Sequence, residues 1–223
     1  MQSKLIVMLT HKDVTVSNAA GIFTSCKDMP VECWGFKDVG LCKKDMADLF
    51  DSMKAFDKKT FLEVVSYTEE ECMRGARLAV ELSVDYLMGT VYYKKVFDYL
   101  ASQNIAYLPF CGKVTGSPSV LEGDIEEIIH DAQKLLEMGI FGIDLLAFRH
   151  KDGEMLARRY IAEVKKPVVI AGSIGSKSRL EFINEINPWG YTMGSALFTH
   201  NFNSVGDFRQ NLEDVLSITN ALN

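Results

Sequence analysis

The chain is poor in the residues that mark disulfide-stapled, metal-binding or membrane proteins. Its 223 residues include 4 histidines, 5 cysteines, 5 prolines and 2 tryptophans. The cysteines (Cys26, Cys33, Cys42, Cys72 and Cys111) are odd in number and form no C-x-x-C pair or cysteine–histidine ligand spacing. Neither a disulfide framework nor a zinc site is predicted, and buried free thiols in a reducing cytosol explain them. No apolar run approaches the roughly 20 residues of a membrane-spanning helix. The first run, Leu5 to Leu9, is too short for the core of a signal peptide. No G-x-G-x-x-G follows a strand, so no redox dinucleotide is expected. Basic residues are in deficit, 24 against 30 acidic, for a net charge of −6. That balance argues against general nucleic-acid binding, which needs a basic footprint, but leaves room for a local basic pocket. No linker or low-complexity tract divides the chain. It reads as one cytoplasmic domain, residues 1–223, with no membrane, nucleic-acid, metal or cofactor partner. Homo-oligomer formation is left open.

What is present is an ordinary globular balance, 48% hydrophobic and 24% charged, enough to bury a core without staples. Short apolar runs alternate with amphipathic stretches. The predicted strands are Lys4–Thr10, Val31–Phe36, Phe61–Tyr67, Val84–Gly89, Ile105–Phe110, Ile140–Phe148, Pro167–Ala171 and Trp189–Met193. Between them fall helical patterns, such as Met46, Leu49, Phe50 and Met53 at i, i+3, i+4, i+7. Thr68 with Glu71, and Asp124 with Glu127, have capping-box spacing. Regular alternation of strand and helix means a parallel sheet with helical crossovers. Eight units predict an α/β fold, a single (β/α)8 TIM barrel, with an open doubly wound sheet as the alternative. Asp85–Thr90 also echoes Gly190–Ser195. That similarity reads equally as a relic of half-barrel duplication or as the likeness of any two buried strands ending in a small turn.

In such barrels ligands bind at the C-terminal strand ends. The seventh strand ends Ala171-Gly172-Ser173-Ile174-Gly175, and the eighth ends Gly194-Ser195-Ala196-Leu197-Phe198. Glycine lets backbone approach a ligand closely, and successive amides offer donors to an anion. Gly172, Ser173, Ile174, Gly194 and Ser195 are therefore the predicted phosphate seat. The run from Pro167 to Ile174, followed by Tyr191 to Phe198, resembles the ribulose-phosphate-binding barrel superfamily. It is similar to the sugar isomerases of histidine biosynthesis, the N-acetylmannosamine-6-phosphate epimerases and the glycerol-responsive antiterminators. The motif match covers the last third of the chain. It implies a phosphorylated small-molecule ligand and says little about reaction type, since the superfamily holds isomerases, epimerases, decarboxylases, aldolases and a non-catalytic regulator. The first strand lacks the aspartate base of the histidine-pathway isomerases, and the sixth lacks the Schiff-base lysine of many barrel aldolases.

The remaining strand ends supply acid–base candidates: Thr10-His11-Lys12-Asp13, Lys37-Asp38, Gly112-Lys113 and Arg149-His150. A cationic rim suits an anionic substrate, and His11 and Arg149 are predicted to touch it. Lys113 or Lys37 is placed to stabilise an enediolate oxyanion, with Asp38 holding Lys37. Glu63, inside the third strand, is the best general base if it faces inward; alternation alone does not decide its face. Asp144 aligns by pattern with Asp85, at a strand start, and is assigned a structural role. The leading expectation is a phosphosugar isomerase or epimerase that removes a proton next to a carbonyl. An aldolase or decarboxylase using a lysine, and a phosphometabolite-sensing regulator, are the alternatives.

Overall fold

A computed structural model describes residues 2–222. Eight parallel strands form the barrel: β1 (Lys4–Met8), β2 (Cys33–Lys37), β3 (Lys59–Ser66), β4 (Tyr86–Thr90), β5 (Ala106–Leu108), β6 (Ile143–Leu145), β7 (Val168–Ile170) and β8 (Gly190–Met193). Each pairs with the next, β8 pairs with β1, and a bridge between Phe110 and Asp144 joins β5 to β6. The predicted barrel is thus the observed fold.

The helices are α1 (Ala19–Cys26), α2 (Lys43–Lys54), α3 (Glu69–Glu81), α4 (Lys94–Ser102), α5 (Ile125–Glu137), α6 (Gly153–Glu163), α7 (Lys177–Ile186), the short α8 (Ser195–Phe198) and α9 (Phe208–Ala221). Their starts follow side-chain chemistry. The Thr68 hydroxyl accepts from the Glu71 amide at α3, and Asp124 and Glu127 complete a capping box at α5. Asp207 and Gln210 do the same for α9. The apolar stripe of α5 (Ile125, Ile128, Ile129, Ala132 and Leu135) is buried against the barrel wall.

Of the predicted strands that end early, two lead into new structure. The first breaks at Leu9, and Thr10–His11 turns into a hairpin with Val14–Thr15. The sixth stops at Leu145 and becomes a single 3-10 turn, Ala147–Arg149. The predicted loop after the fifth strand contains a second hairpin, Lys113–Thr115 with Val120–Glu122. These departures all lie at the C-terminal barrel mouth, where chain leaves the sheet to build loops.

Inward side chains stack in layers drawn from alternate strands, as barrel closure requires. Ile6, Phe61, Leu108 and Val169 make an apolar layer from the odd strands. The register places Gly35, Met88, Asp144 and Thr192 from the even strands above it, then Met8, Glu63, Phe110 and Ala171. Below, Phe61 stacks on Tyr86 at 4.3 Å, and Phe141 and Trp189 join them to close the N-terminal end.

This phasing settles the internal echo. Tyr86 and Met88 belong to the barrel interior, whereas Tyr191 and Met193 face the helix layer. The two segments match in sequence with opposite faces inward, so the echo does not report equivalent positions of a doubled half-barrel.

Candidate active site

A cavity of about 460 Å³ opens at the C-terminal strand ends. Met8, Thr10, Glu63, Phe110, Ala171 and Thr192 form its inner wall. One side carries charge. Lys37, the last residue of β2, lies in register with Glu63 on β3, so both side chains point into the bore. The Lys37 ammonium sits 2.9 Å from Asp13 Oδ1 and 3.5 Å from Glu63 Oε1. Its side chain is 12% exposed and that of Glu63 16%.

Asp13 reaches this pair because of its hairpin. Lys12 and Asp13 both have positive φ at the turn. The Thr15 hydroxyl donates to Lys37 O at 2.7 Å, and the Thr15 amide donates to Val39 O, pinning the hairpin to the end of β2. Gly40 is required there: its φ is +104°, and a Cβ would fall 2.2 Å from Thr15 O.

Burial opposes the charged form of Lys37, but the Glu63 and Asp13 carboxylates outweigh it and hold the ammonium above lysine's usual range. Burial pushes Glu63 up as well, with Lys37 pulling the other way and Asp13 adding to the rise. Glu63 is therefore a carboxyl of raised proton affinity in a charged pocket, a combination general bases share.

The opposite side is built from the turns after β7 and β8. Gly172 (φ +86°) and Ser173 (φ +53°) turn the chain left-handed, and the Ser176 hydroxyl caps α7 by accepting from the Arg179 amide. Gly194 passes close under the first hairpin, where a Cβ would meet Thr10 O at 2.7 Å. Asn201 ties the two turns together. Its Nδ2 donates to Gly175 O at 2.9 Å, while its Oδ1 accepts from Thr199, whose hydroxyl also bonds Ser195 O. All five residues of the predicted phosphate seat line the cavity.

Arg149 and Arg179 line it too. The Arg179 guanidinium lies 3.8 Å over the Phe148 ring and 3.5 Å from Glu154. The Arg149 stem packs against Gly172, where a Cβ would collide with it. Arg158, Arg159, Arg179 and Arg209 hold ion pairs; among the described residues Arg149 holds none.

Lys37, Glu63 and Arg149 thus meet the phosphate-seat residues in one cavity. Asp38, Lys113 and His11 are placed elsewhere. Asp38 follows β2 on the opposite phase to Lys37; its carboxyl is raised by burial and offset by Lys37 and Arg74. Lys37 is held by Asp13, not by Asp38. Lys113 lies on the second hairpin, 71% exposed and paired with Glu122 at 2.8 Å. The His11 ring packs on Phe198, with centroids 5.6 Å apart.

The reading of Asp144 needs correction. It is not a counterpart of Asp85, which sits below β4 and accepts from the Thr60 amide and hydroxyl. Asp144 pairs with Phe110 and Val169, well inside the barrel and one layer beneath Glu63. It is 1% exposed, and among the described residues neither carboxyl oxygen has a hydrogen-bond partner. Arg179 was passed over in the sequence; a cation in the first turn after a capping serine beside the seventh strand was the available signal.

Eight parallel strands around a charged mouth define a (β/α)8 barrel with a ligand-sized cavity where such barrels bind their ligands. Solved structures share this barrel fold across nearly the whole chain. The chain is similar to native KDPGal (TM-score 0.71, 12% identity, covering 100% of this chain and 98% of that one). It is similar to orotidine 5'-phosphate decarboxylase from Pyrococcus horikoshii OT3 (0.72, 10%, 97% and 99%) and to N-acetylmannosamine-6-phosphate 2-epimerase from Clostridium perfringens (0.66, 9%, 97% and 93%). No family model and no curated protein matches the sequence. At these identities the likeness is one of fold. Among the described residues, no helix is long and apolar enough to cross a membrane, and no group of three His, Cys, Asp or Glu side chains is placed to hold a metal ion.

Proposed function

We propose that the chain is a phosphosugar-processing barrel enzyme, an isomerase or epimerase that moves a proton next to a carbonyl. The observation that carries this reading is the Asp13–Lys37–Glu63 cluster sharing one cavity with the paired turns after β7 and β8. The barrels it resembles in fold include enzymes whose names specify phosphorylated ligands. In this reading the phosphate rests on the amides of Gly172–Ile174 and Gly194–Ser195, with the Arg149 guanidinium beside it. The anchored end then sets the sugar carbons near the barrel axis. Glu63 takes the proton from the carbon next to the carbonyl. The C–H electron pair becomes a C=C bond, and the carbonyl oxygen becomes an oxyanion facing the Lys37 ammonium. Transfer of the hydroxyl proton to the oxyanion, with return of the carbon-bound proton from Glu63 to the former carbonyl carbon, gives an isomer and a new carbonyl; protonation of the original carbon from solvent on the face opposite Glu63 gives an epimer.

The lysine-nucleophile alternative is less well supported. An amine between two carboxylates, held above its usual range, stays protonated and does not attack a carbonyl. Lys113 lies outside the cavity.

A thermal-shift screen with inorganic phosphate and a panel of aldose and ketose phosphates tests the seat, followed by turnover assays on whichever compounds stabilise. Ser173→Asp is the control, because aspartate tolerates the left-handed backbone and brings a negative charge into the seat. Stabilisation of wild type that disappears in Ser173→Asp is expected. Stabilisation equal in both proteins removes the seat from this location. A compound that binds without turnover leaves a sensor.

A further inference from the structure

Two carboxyl groups face the bore of this barrel with one ammonium between them and the surface. Glu63 comes from β3 and Asp144 from β6, three strands away and so nearly across the barrel, on adjacent interior layers. Of the two, Lys37 touches Glu63, 3.5 Å from its Oε1, while among the described residues neither oxygen of Asp144 meets a donor. Asp144 sits below the cavity floor, in the layer of Gly35, Met88 and Thr192, of which only Thr192 lines the cavity. Two carboxyls in one low-dielectric bore do not both ionise freely, and the nearer cation decides which one does.

We propose that Glu63 and Asp144 form an unequal carboxyl pair that holds one proton at neutral pH. Asp144 keeps it as a positioning residue acting through Glu63, and Glu63 is left ionised beside Lys37. The role of Glu63 as base rests on the proposed function; the order in which the two groups ionise does not.

The groups facing Asp144 support this ordering. Burial raises it first, the Glu63 charge raises it further, and Lys37 acts weakly against both. Cys111, buried after β5, is held protonated by burial, with Asp131 and then Asp144 adding to the rise. Asp13 acts on Glu63 and Lys37 instead. A neutral Asp144 leaves Lys37 to balance two carboxylates. An ionised Asp144 would add a third negative charge under a site that takes an anionic ligand. A buried carboxyl with no partner destabilises the fold, so its place beneath Glu63 points to a role in the chemistry.

The pair is tested on the 223-residue chain without a substrate. Carboxyl ¹³C shifts of Glu63 and Asp144 are followed by NMR from about pH 4 to about pH 10, spanning the range over which carboxyls titrate in proteins. Asp144 is expected to read as protonated at neutral pH while Glu63 ionises first. Glu63→Gln is expected to lower the Asp144 midpoint, because the repelling charge is gone and Lys37 is released. An Asp144 that is charged at neutral pH, or unmoved by Glu63→Gln, overturns the proposal. If that variant does not fold, Lys37→Met replaces it, with the Asp144 midpoint expected to rise and an unchanged midpoint overturning the proposal.

Stability provides a second readout with a fixed sign. An acid raised in the folded state binds a proton that the unfolded chain has released. Wild type therefore loses stability relative to Asp144→Asn as pH climbs above the ordinary carboxylate range. A pH-independent difference between the two melting temperatures overturns the pair. Inorganic phosphate binding, measured alongside, reports only on the seat at β7 and β8. Its absence would sink that reading and leave the titration result standing.

Discussion

The two ends of this barrel obey different physics. At the N-terminal end, Phe61, Tyr86, Phe141 and Trp189 pack ring against ring, and Asp85 is satisfied by Thr60. Toward the C-terminal end, Lys37 is shared by two carboxylates, and among the described residues Arg149 has no ion pair and Asp144, beneath the cavity, is buried with both oxygens unpaired. One end is saturated with favourable contacts; the other holds groups whose needs the chain itself does not meet. Such an asymmetry separates what keeps the fold from what the fold is for.

Three single substitutions and one double variant break or sharpen that contrast. The largest effect is expected from Phe61→Ala, which removes a fully buried ring from the plug and the lowest apolar layer. A loss of about 3–5 kcal/mol in denaturant melts is expected, with phosphate affinity kept in the fraction that remains folded. Loss of affinity out of proportion to stability would show that the two ends are coupled. Next, Lys37→Met removes the cation from between Asp13 and Glu63. Turnover is expected to fall by a factor of about 10² or more, with stability reduced by roughly 1–3 kcal/mol as two partly buried carboxyls lose their partner. The double variant Lys37→Met with Glu63→Gln should recover part of that stability and none of the turnover. Full recovery of turnover would end the role of both. The smallest effect belongs to Lys113→Met, because the ammonium is exposed and paired on the hairpin. Turnover within about twofold of wild type is expected, as for most surface substitutions. A deep loss there would mean that the hairpin closes onto ligand and would return Lys113 to the site.

Legibility in the sequence followed the same division. The alternation of apolar runs and amphipathic helices, the caps at Thr68 and Asp124, and the glycine turns after β7 and β8 are local signals, and each was readable where it stood. The acid–base side was only partly readable. Glu63 could be named, but its face depended on register, and only its pairing with Lys37 turned it inward. Lys37 looked like a loop residue because β2 runs one residue longer than its apolar stretch. Asp13 depended on a hairpin that the continuous run from Lys4 to Thr10 concealed. Asp144 and Asp85 share a sequence pattern but not a depth, because barrel strands are staggered and similar patterns can sit at different levels. Interior parity, combined with the apolar neighbours Ile143 and Leu145, would have placed it facing the bore.

The tie made by Asn201 has a further consequence. It joins the turn after β7 to the segment after β8 through Gly175 O, and Thr199 holds Asn201 in place. On the proposed function, a cradle assembled by the chain's own bonds would have no loop to order when an anion arrives, so little conformational entropy would be lost on binding. Recognition at such a seat should be quick and undemanding, accepting a bare phosphate almost as readily as a phosphorylated sugar. Discrimination among sugars would then fall to the charged side of the cavity, so that one end of a ligand is gripped indiscriminately while the other is read.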